Sequence, residues 1–256
     1  MQSTSKPQHV KRLLQADRLF GMTSVPTPSV LRMPAGGGAT VAGGSSKGAS
    51  IGAVSVESKR MQLDVLDREH VKGCKKCRLC EGRTNTVFGD GDANARLMFI
   101  GEGPGFDEDK QGVPFVGRAG QLLNKMIAAM GLTREEVYIC NIVKCRPPNN
   151  RDPAADEVIA CTPYLHEQVR IVEPEVIVAL GSPASKLLLD TQTSIGRLRG
   201  QFHDYHYTNL SGEVSSISLM PTYHPAYLLR SPHEKKKTWD DLQMVMKLMG
   251  LPLPQR

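Results

Sequence analysis

Four of the six cysteines in this 256-residue chain have spacings that suit metal binding. Cys74 and Cys77 are separated by two residues, which lets both sulfurs reach one metal. Cys145 and Cys161 flank a predicted loop and would join the first pair if that loop folds back. Four thiolates suit either a tetrahedral zinc or a cubane iron–sulfur cluster. A disulfide framework is not expected, because a cytoplasmic protein keeps its thiols reduced.

The two remaining cysteines, Cys80 and Cys140, are less suited to be metal ligands. Cys80 lies close to Cys74 and Cys77, but one of these three is spare if the site has four ligands. Cys140 lies within an apolar run that is predicted to be a strand, where a cysteine packs as a small hydrophobic residue.

Polar residues follow or end three apolar runs that are predicted to be strands: Glu102, Asn141 and His224. Open α/β sheets bind their ligands at the carboxyl ends of strands. Each residue also has a simpler explanation: the glycine turn around Glu102 merely ends its strand, the backbone satisfies Asn141, and His224 caps a turn. The glycine turn is not a dinucleotide fingerprint, because its third glycine position is occupied by Phe106.

Phe115 lies in a loop with a glycine at each end, residues 112–117. Such a phenylalanine either packs in the core or offers its ring to a planar ligand. The residues alone leave both possibilities open.

Alternating apolar patterns indicate which elements hold these residues in place. The fold class predicted is α/β, a three-layer α/β/α sandwich with a central, mostly parallel four-stranded sheet. Residues 202–215 are predicted to form an irregular or hairpin-like excursion. The predicted strands cover residues 96–100, 137–143, 175–180 and 217–221, and the predicted helices cover residues 61–71, 119–130, 154–172 and 235–249, with a further helix that begins near residue 182.

Composition divides the chain into three segments. Residues 1–22 are predicted to contain a short amphipathic helix, residues 23–58 a flexible Gly/Ser/Ala/Pro linker, and residues 59–256 the folded domain. The net charge of +6 is compatible with a polyanionic partner. No apolar run has membrane-spanning length and no secretion signal is visible, so we expect a monomeric cytoplasmic protein without a membrane partner.

Four motifs in order carry a family resemblance that extends from about residue 71 to residue 250. The chain resembles the family-4 uracil-DNA glycosylases, the iron–sulfur branch of that superfamily. A related branch that links covalently to DNA has an extra basic loop before its fourth cysteine, and residues 145–161 are too few to hold it. The motifs are GEGPG at 101–105, the segment 112–120 around PFVG, NIVKCRPP at 141–148 and HPAYLLR at 224–230.

The resemblance implies a 4Fe–4S cluster held by Cys74, Cys77, Cys145 and Cys161, the same four cysteines that spacing selects. Cys80 and Cys140 would then be bystanders. The cluster is expected to be structural and to hold the loop between its last two ligands beside the DNA.

The resemblance also implies roles in removing a flipped uracil from single- or double-stranded DNA. Phe115 would stack on the base and Asn141 would hydrogen-bond to its pairing edge. His224, with a backbone amide such as that of Gly103, would donate to uracil O2, and Glu102 would orient the attacking water. Glu108 is the candidate that excludes the 5-methyl group of thymine. The DNA-contacting residues would be Leu228 and Leu229 as wedges, and Arg230, Lys144, Arg146 and Arg151 at phosphates.

Two other functions fit part of the sequence. A non-catalytic nucleic-acid-binding module, stapled by zinc or an iron–sulfur cluster, explains the cysteines and the charge but not three polar residues at strand ends. A nucleotide-binding α/β enzyme is disfavoured by the missing third glycine and the missing P-loop lysine.

Overall fold

The computed structural model describes residues 56–253, apart from the side chain of Val56. The predicted N-terminal helix and most of the predicted linker therefore lie outside the described residues. Residues 56–58, which we assigned to the linker, form the start of helix α1 (Val56–Val65). The helix continues in π-helical turns over Leu66–Val71.

A six-stranded sheet forms the centre of the domain. The strands are β1 (Gly89–Gly91), β2 (Leu97–Gly101), β3 (Tyr138–Asn141), β4 (Val176–Leu180), β5 (His203–Thr208) and β6 (Val214–Thr222). Their order in the sheet is β1-β3-β2-β4-β6-β5. Strands β3, β2, β4 and β6 are mutually parallel, whereas β1 and β5 pair antiparallel at the two edges.

The predicted parallel four-stranded sheet is confirmed as the centre, but the strand count was too low by two. The missing strands are the antiparallel edges. Strand β1 has three residues and no apolar pattern, and β5 is polar along most of its length. The excursion between residues 202 and 215 is largely a hairpin in which β5 pairs with a β6 that begins at Val214.

Helices cover both faces of the sheet. On one face, α4 (Arg118–Ala129) and α9 (Lys235–Leu248) pack in a core with Phe99, Ile139 and Val178. On the other face, Gln168 of α5 (Ala155–Val172) donates to the Tyr138 hydroxyl at 3.1 Å. The helices are α2 (Leu79–Gly82), α3 (Phe106–Gln111), α4 (Arg118–Ala129), α5 (Ala155–Val172), α6 (Ser182–Leu188), α7 (Ile195–Leu198), α8 (Pro225–Arg230) and α9 (Lys235–Leu248), with short 3₁₀ turns at Arg134–Glu136, Pro148–Asn150 and Pro232–Glu234.

The α/β/α order of layers agrees with the prediction. None of the helices within residues 56–253 is both long enough and apolar enough to span a membrane.

Candidate active site

A cleft of about 1150 Å³ lies at the carboxyl ends of the parallel strands. Strand pairing brings the candidate residues to it, because Gly101 pairs with Asn141 and Leu180 pairs with Thr222, two residues before His224. All six residues predicted for catalysis or substrate binding line this cleft: Glu102, Gly103, Glu108, Phe115, Asn141 and His224.

Gly101 is small because two functional side chains pack over it. A Cβ atom at this position would lie 2.4 Å from Asn141 Oδ1 and 2.5 Å from Phe115 Cζ. Both distances are shorter than any real contact of a Cβ atom. The glycine at the end of β2 therefore allows the amide and the aromatic ring to share one floor of the cleft.

Phe115 is held by its loop in a backbone conformation that is uncommon outside glycine, with φ of 53°. Its carbonyl accepts a hydrogen bond from Arg134 Nη1 at 3.2 Å, and the preceding carbonyl, of Pro114, accepts from Nη2 at 2.5 Å. The ring centroid lies 5.7 Å from that of His224, at 33°. Arg134, which the sequence analysis missed, thus holds the loop that positions Phe115.

Asn141 carries an unsatisfied polar atom into the cleft. The residue is only 1% exposed, and its Oδ1 has no hydrogen-bond partner. Leaving a buried acceptor unpaired costs on the order of 1–3 kcal/mol. The backbone therefore does not satisfy this oxygen, and its expected role toward a ligand remains a prediction.

His224 both caps a helix and lines the cleft. Its Nδ1 accepts a hydrogen bond from the backbone N–H of Ala226 at 3.1 Å, at the start of α8. Burial, with a smaller effect of Arg230, lowers the pKa of His224 to about 4, so the ring is neutral at pH 7. Because Nδ1 accepts, the single ring proton of the neutral form lies on Nε2, which makes that nitrogen a donor.

Glu102 follows β2 directly and is half-buried. Burial, together with the negative charge of Asp152, raises the pKa of Glu102 to about 7. Asp152 also lines the cleft, although no motif in the sequence marks it as a site residue. A carboxyl group that titrates near neutrality is suited to accept a proton from water at physiological pH.

Glu108 uses its carboxylate to hold the backbone around the cleft. Oε1 accepts from the N–H groups of Val116 and Gly117, both at 2.9 Å, and Oε2 accepts from Gly105 at 3.1 Å. The Glu108 side chain therefore holds both the glycine turn at Gly105 and the Phe115 loop at Val116 and Gly117. Its predicted role against thymine remains a prediction.

Comparison with known proteins assigns the chain to a family. A model of the uracil DNA glycosylase superfamily matches residues 88–243. Type-4 uracil-DNA glycosylases of Thermotoga maritima and Sulfurisphaera tokodaii are 47% and 44% identical, over 67% and 74% of this chain and 86% and 87% of theirs. The type-4 enzyme of Archaeoglobus fulgidus is 42% identical over 75% of this chain and 96% of its own. The chain belongs to the type-4 uracil-DNA glycosylases.

The four cysteines predicted as ligands line one small cavity in this type-4 glycosylase, and Cys80 lines it as well. Three groups already donate to these sulfurs: Arg83 Nη1 to Cys145 at 3.2 Å, the Tyr164 hydroxyl to Cys74 at 3.3 Å, and a backbone N–H to Cys161 at 3.2 Å. Burial raises the pKa of Cys161 to about 12, so its thiolate requires a compensating positive charge.

The four predicted ligands in the cysteine cavity are all thiols. A cubane cluster binds each thiolate at a different iron and so holds the sulfurs farther apart than one ion does. Soft thiolate donors around one cavity fit such a cluster.

Two residues predicted to contact DNA are buried. Leu228 is 1% exposed and packs into the interior, so its predicted role as a wedge is wrong; Leu229 is 36% exposed. Lys144 is also 1% exposed, and its Nζ donates to the Asn141 carbonyl at 2.7 Å and to Gln168 at 2.5 Å. Lys144 therefore supports β3 and α5 from inside and does not reach phosphates.

The three predicted arginines differ in their surroundings. Arg151 makes a bidentate ion pair with the fully buried Glu157, at 2.6 and 2.8 Å, and lines the cleft. Arg146 donates to Asn150 at 2.7 Å and lies 5.0 Å from the Phe106 ring centroid. Arg230 is exposed, lines the cleft and lowers the pKa of His224. Of these, the bidentate pairing makes Arg151 the least suited to bind a phosphate.

Proposed function

We propose that this type-4 glycosylase excises uracil from DNA by hydrolysing the N-glycosidic bond, releasing free uracil and leaving an abasic site. The observation that carries the proposal is the unpartnered, buried Asn141 Oδ1 in the same cleft as a neutral His224 that donates from Nε2. Uracil matches both groups, because its N3–H can donate to Asn141 Oδ1 and its O2 can accept from His224 Nε2–H.

Recognition begins with a nucleotide that leaves the duplex, because the target bond cannot be reached inside the stack. The flipped base stacks on Phe115, whose ring faces His224. Asn141 accepts from uracil N3–H and donates to O4. Cytosine has an amino group at position 4 and no N3 proton, so it leaves buried groups unpaired.

His224 supports departure of the base. As the glycosidic bond breaks, negative charge builds on the uracil, and Nε2–H stabilises it at O2. The imidazole needs no change of protonation near pH 7, because its pKa is about 4. The backbone N–H of Gly103 assists. A Cβ atom at this position would lie 2.8 Å from Val143 Cγ2, so the packing against Val143 requires a glycine here.

Glu102 acts on the sugar side of the bond. As a carboxylate it orients the attacking water, accepts its proton and stabilises the positive charge that develops on the sugar. Because the pKa of Glu102 is about 7, the carboxyl group can both accept that proton and release it again near neutral pH. Glu108 supplies the wall against the thymine 5-methyl group from its fixed position beside the cleft.

The cysteine cavity holds a 4Fe–4S cluster through Cys74, Cys77, Cys145 and Cys161. The cluster supplies structural cross-linking, since excision of a base is not a redox reaction. Cys145 and Cys161 bracket the segment that contains Asp152 and Arg151, which line the cleft. The fixed ends of this segment determine where the charge of Asp152 lies relative to Glu102.

Uracil-containing DNA is the proposed partner. Arg230 and Arg146 contact phosphates, and the exposed Leu229 fills the space that the flipped base leaves in a duplex.

The test is incubation of the cluster-loaded protein with single- and double-stranded oligonucleotides that carry one uracil, followed by alkaline cleavage at abasic sites. Matched oligonucleotides with cytosine or thymine at that position are the controls. We expect strand cleavage only with uracil. Absence of cleavage with both uracil substrates would overturn the proposal and would favour a non-catalytic nucleic-acid-binding module.

A further inference from the structure

Two tyrosines on the lip of the cleft have no role in the chemistry described above. Tyr223 directly precedes His224, and Tyr227 lies one turn later in α8. Both are partly exposed and both line the cleft. Their ring centroids are 5.1 Å apart and their planes are tilted by 44°.

Tyr223 is supported from within the domain. The Arg199 guanidinium lies 5.6 Å from its ring centroid. Arg199 is in turn fixed by the buried Asp241, whose carboxylate oxygens lie 2.6 and 3.0 Å away. Asp241 also accepts from Thr222 Oγ1 at 2.6 Å. The ring pair therefore rests on an anchored ion pair, so little conformational entropy is lost when a ligand stacks on it.

The tyrosine pair lines the same cleft as the residues that are proposed to hold the uracil. Tyr223 and His224 are adjacent in the chain, and the ring of His224 lies against Phe115, on which the uracil stacks. Two cationic side chains that line the same cleft, Lys186 and Arg230, are available to the phosphates on either side of the uracil nucleotide. A base next to the uracil would thus meet an aromatic surface.

We propose that Tyr223 and Tyr227 form a stacking platform for the unpaired base next to the uracil in single-stranded DNA. This inference rests on the proposed function. Base–aromatic stacking is strong and tolerant of sequence, because every base has a π-face. In a duplex the neighbouring base stays paired and stacked on the helix, so the platform favours single-stranded substrates.

The first test needs no variant of the protein. Single-stranded oligonucleotides with one uracil carry an abasic spacer in place of the base on its 5′ side or on its 3′ side. We expect kcat/KM to fall about tenfold for one of the two spacer substrates. Fluorescence anisotropy with the same oligonucleotides should show a similar loss of affinity, and it reports on the platform even if no base is excised.

The second test uses matched variants. Tyr227→Ala should lower kcat/KM about tenfold on the unmodified single strand, and by less than about twofold on a duplex or on the sensitive spacer substrate. Tyr227→Phe keeps the ring and should match the wild type. Tyr207→Ala removes the ring of another tyrosine that packs against a neighbour, Tyr205, and does not line the cleft, so it should have no effect.

Equal kcat/KM and equal affinity for all three single-stranded substrates would overturn the platform, whatever the variants do. An equal loss in Tyr227→Ala on single strands and duplexes would also overturn it, because a shifted α8 and His224 would then explain the defect. A wild-type protein that binds these strands but excises nothing contradicts the proposed function, and the anisotropy series still decides on the platform.

Discussion

The Nδ1 atom of His224 accepts a hydrogen bond from the backbone N–H of Ala226 at 3.1 Å, and this one contact fixes both the helix start and the ring tautomer. A helix begins with N–H groups that have no partner within the helix, and a side chain at the position before it can satisfy one of them. In this cleft the acceptor is the imidazole of His224, the group that we propose stabilises the departing uracil. Its proton therefore remains on the nitrogen that is free to meet a substrate.

Substitution of His224 can separate the cap from the chemistry. His224→Asn should keep a cap, since asparagine is a preferred N-cap residue, whereas His224→Ala should lose about 1 kcal/mol of stability with it. Both variants should slow excision on the order of 100- to 1000-fold. Alanine has no donor, and the shorter asparagine side chain, with its oxygen capping the helix, cannot place its amide donor where Nε2–H lies. Thermal unfolding and single-turnover kinetics check the two effects. Normal excision by His224→Asn would contradict the role of Nε2–H.

Much of this site could be predicted because polar residues at strand ends are conspicuous in the sequence. Glu102 and Asn141 interrupt apolar runs, and parallel strands bring such residues to one edge of a sheet. The sequence left open whether Asn141 is satisfied by the backbone. Only the position of Gly101 beneath its amide shows that Oδ1 lies in the cleft without a partner.

Other features depend on tertiary contacts that local patterns do not encode. Leu228 and Leu229 are adjacent and identical in type, yet the turn of α8 buries the first and exposes the second. Lys144 can be buried because its Nζ donates hydrogen bonds to the Asn141 carbonyl and to Gln168. The edge strand β1 forms by pairing with β3, although its sequence Gly-Asp-Gly has little strand propensity.

The pH dependence of excision should report on Glu102. Its pKa is about 7, and the ionised form is the active one, so kcat/KM should rise as pH increases from about 6 to about 8. His224, with a pKa of about 4, stays neutral over this interval and adds no second limb.

Glu102→Gln is the control for that profile. It should be slower by roughly 100-fold or more and should lose the rising limb. Rates of single-turnover excision at a series of pH values decide the matter. If the rate of Glu102→Gln still rises over the same pH interval, a group other than Glu102 is responsible for the titration.

Gly101→Ala should impair the site without removing any functional group. The new Cβ would fall 2.4 Å from Asn141 Oδ1 and 2.5 Å from Phe115 Cζ, so both side chains must shift. A misplacement of about 1 Å costs on the order of 100-fold in rate. Gly82→Ala is the matched control, because an added Cβ there has no neighbour within 4 Å. Wild-type kcat/KM in Gly101→Ala would show that the packing on Gly101 is not required.

The assignment of cluster ligands can be tested apart from activity. Cys145→Ser should lose iron, acid-labile sulfide and visible absorbance, and it should unfold more readily, because binding of the cluster is coupled to folding. Cys80→Ser should keep the full iron content, although Cys80 lines the same cavity. If Cys80→Ser loses iron and Cys77→Ser retains it, then Cys80 is the cluster ligand and Cys77 is not. A single zinc in the wild-type protein would overturn the cluster itself.

The most direct test of the account is the release of free uracil by Asn141→Ala, measured under single-turnover conditions beside the wild type and the control Asn94→Ala. Asn141 lines the cleft and its buried Oδ1 has no hydrogen-bond partner, whereas Asn94 is not among the residues that line the cleft. We predict that Asn141→Ala releases uracil at least about 100-fold more slowly while its iron content and melting temperature stay near those of the wild type. Uracil release by Asn141→Ala at the wild-type rate would contradict the proposed site.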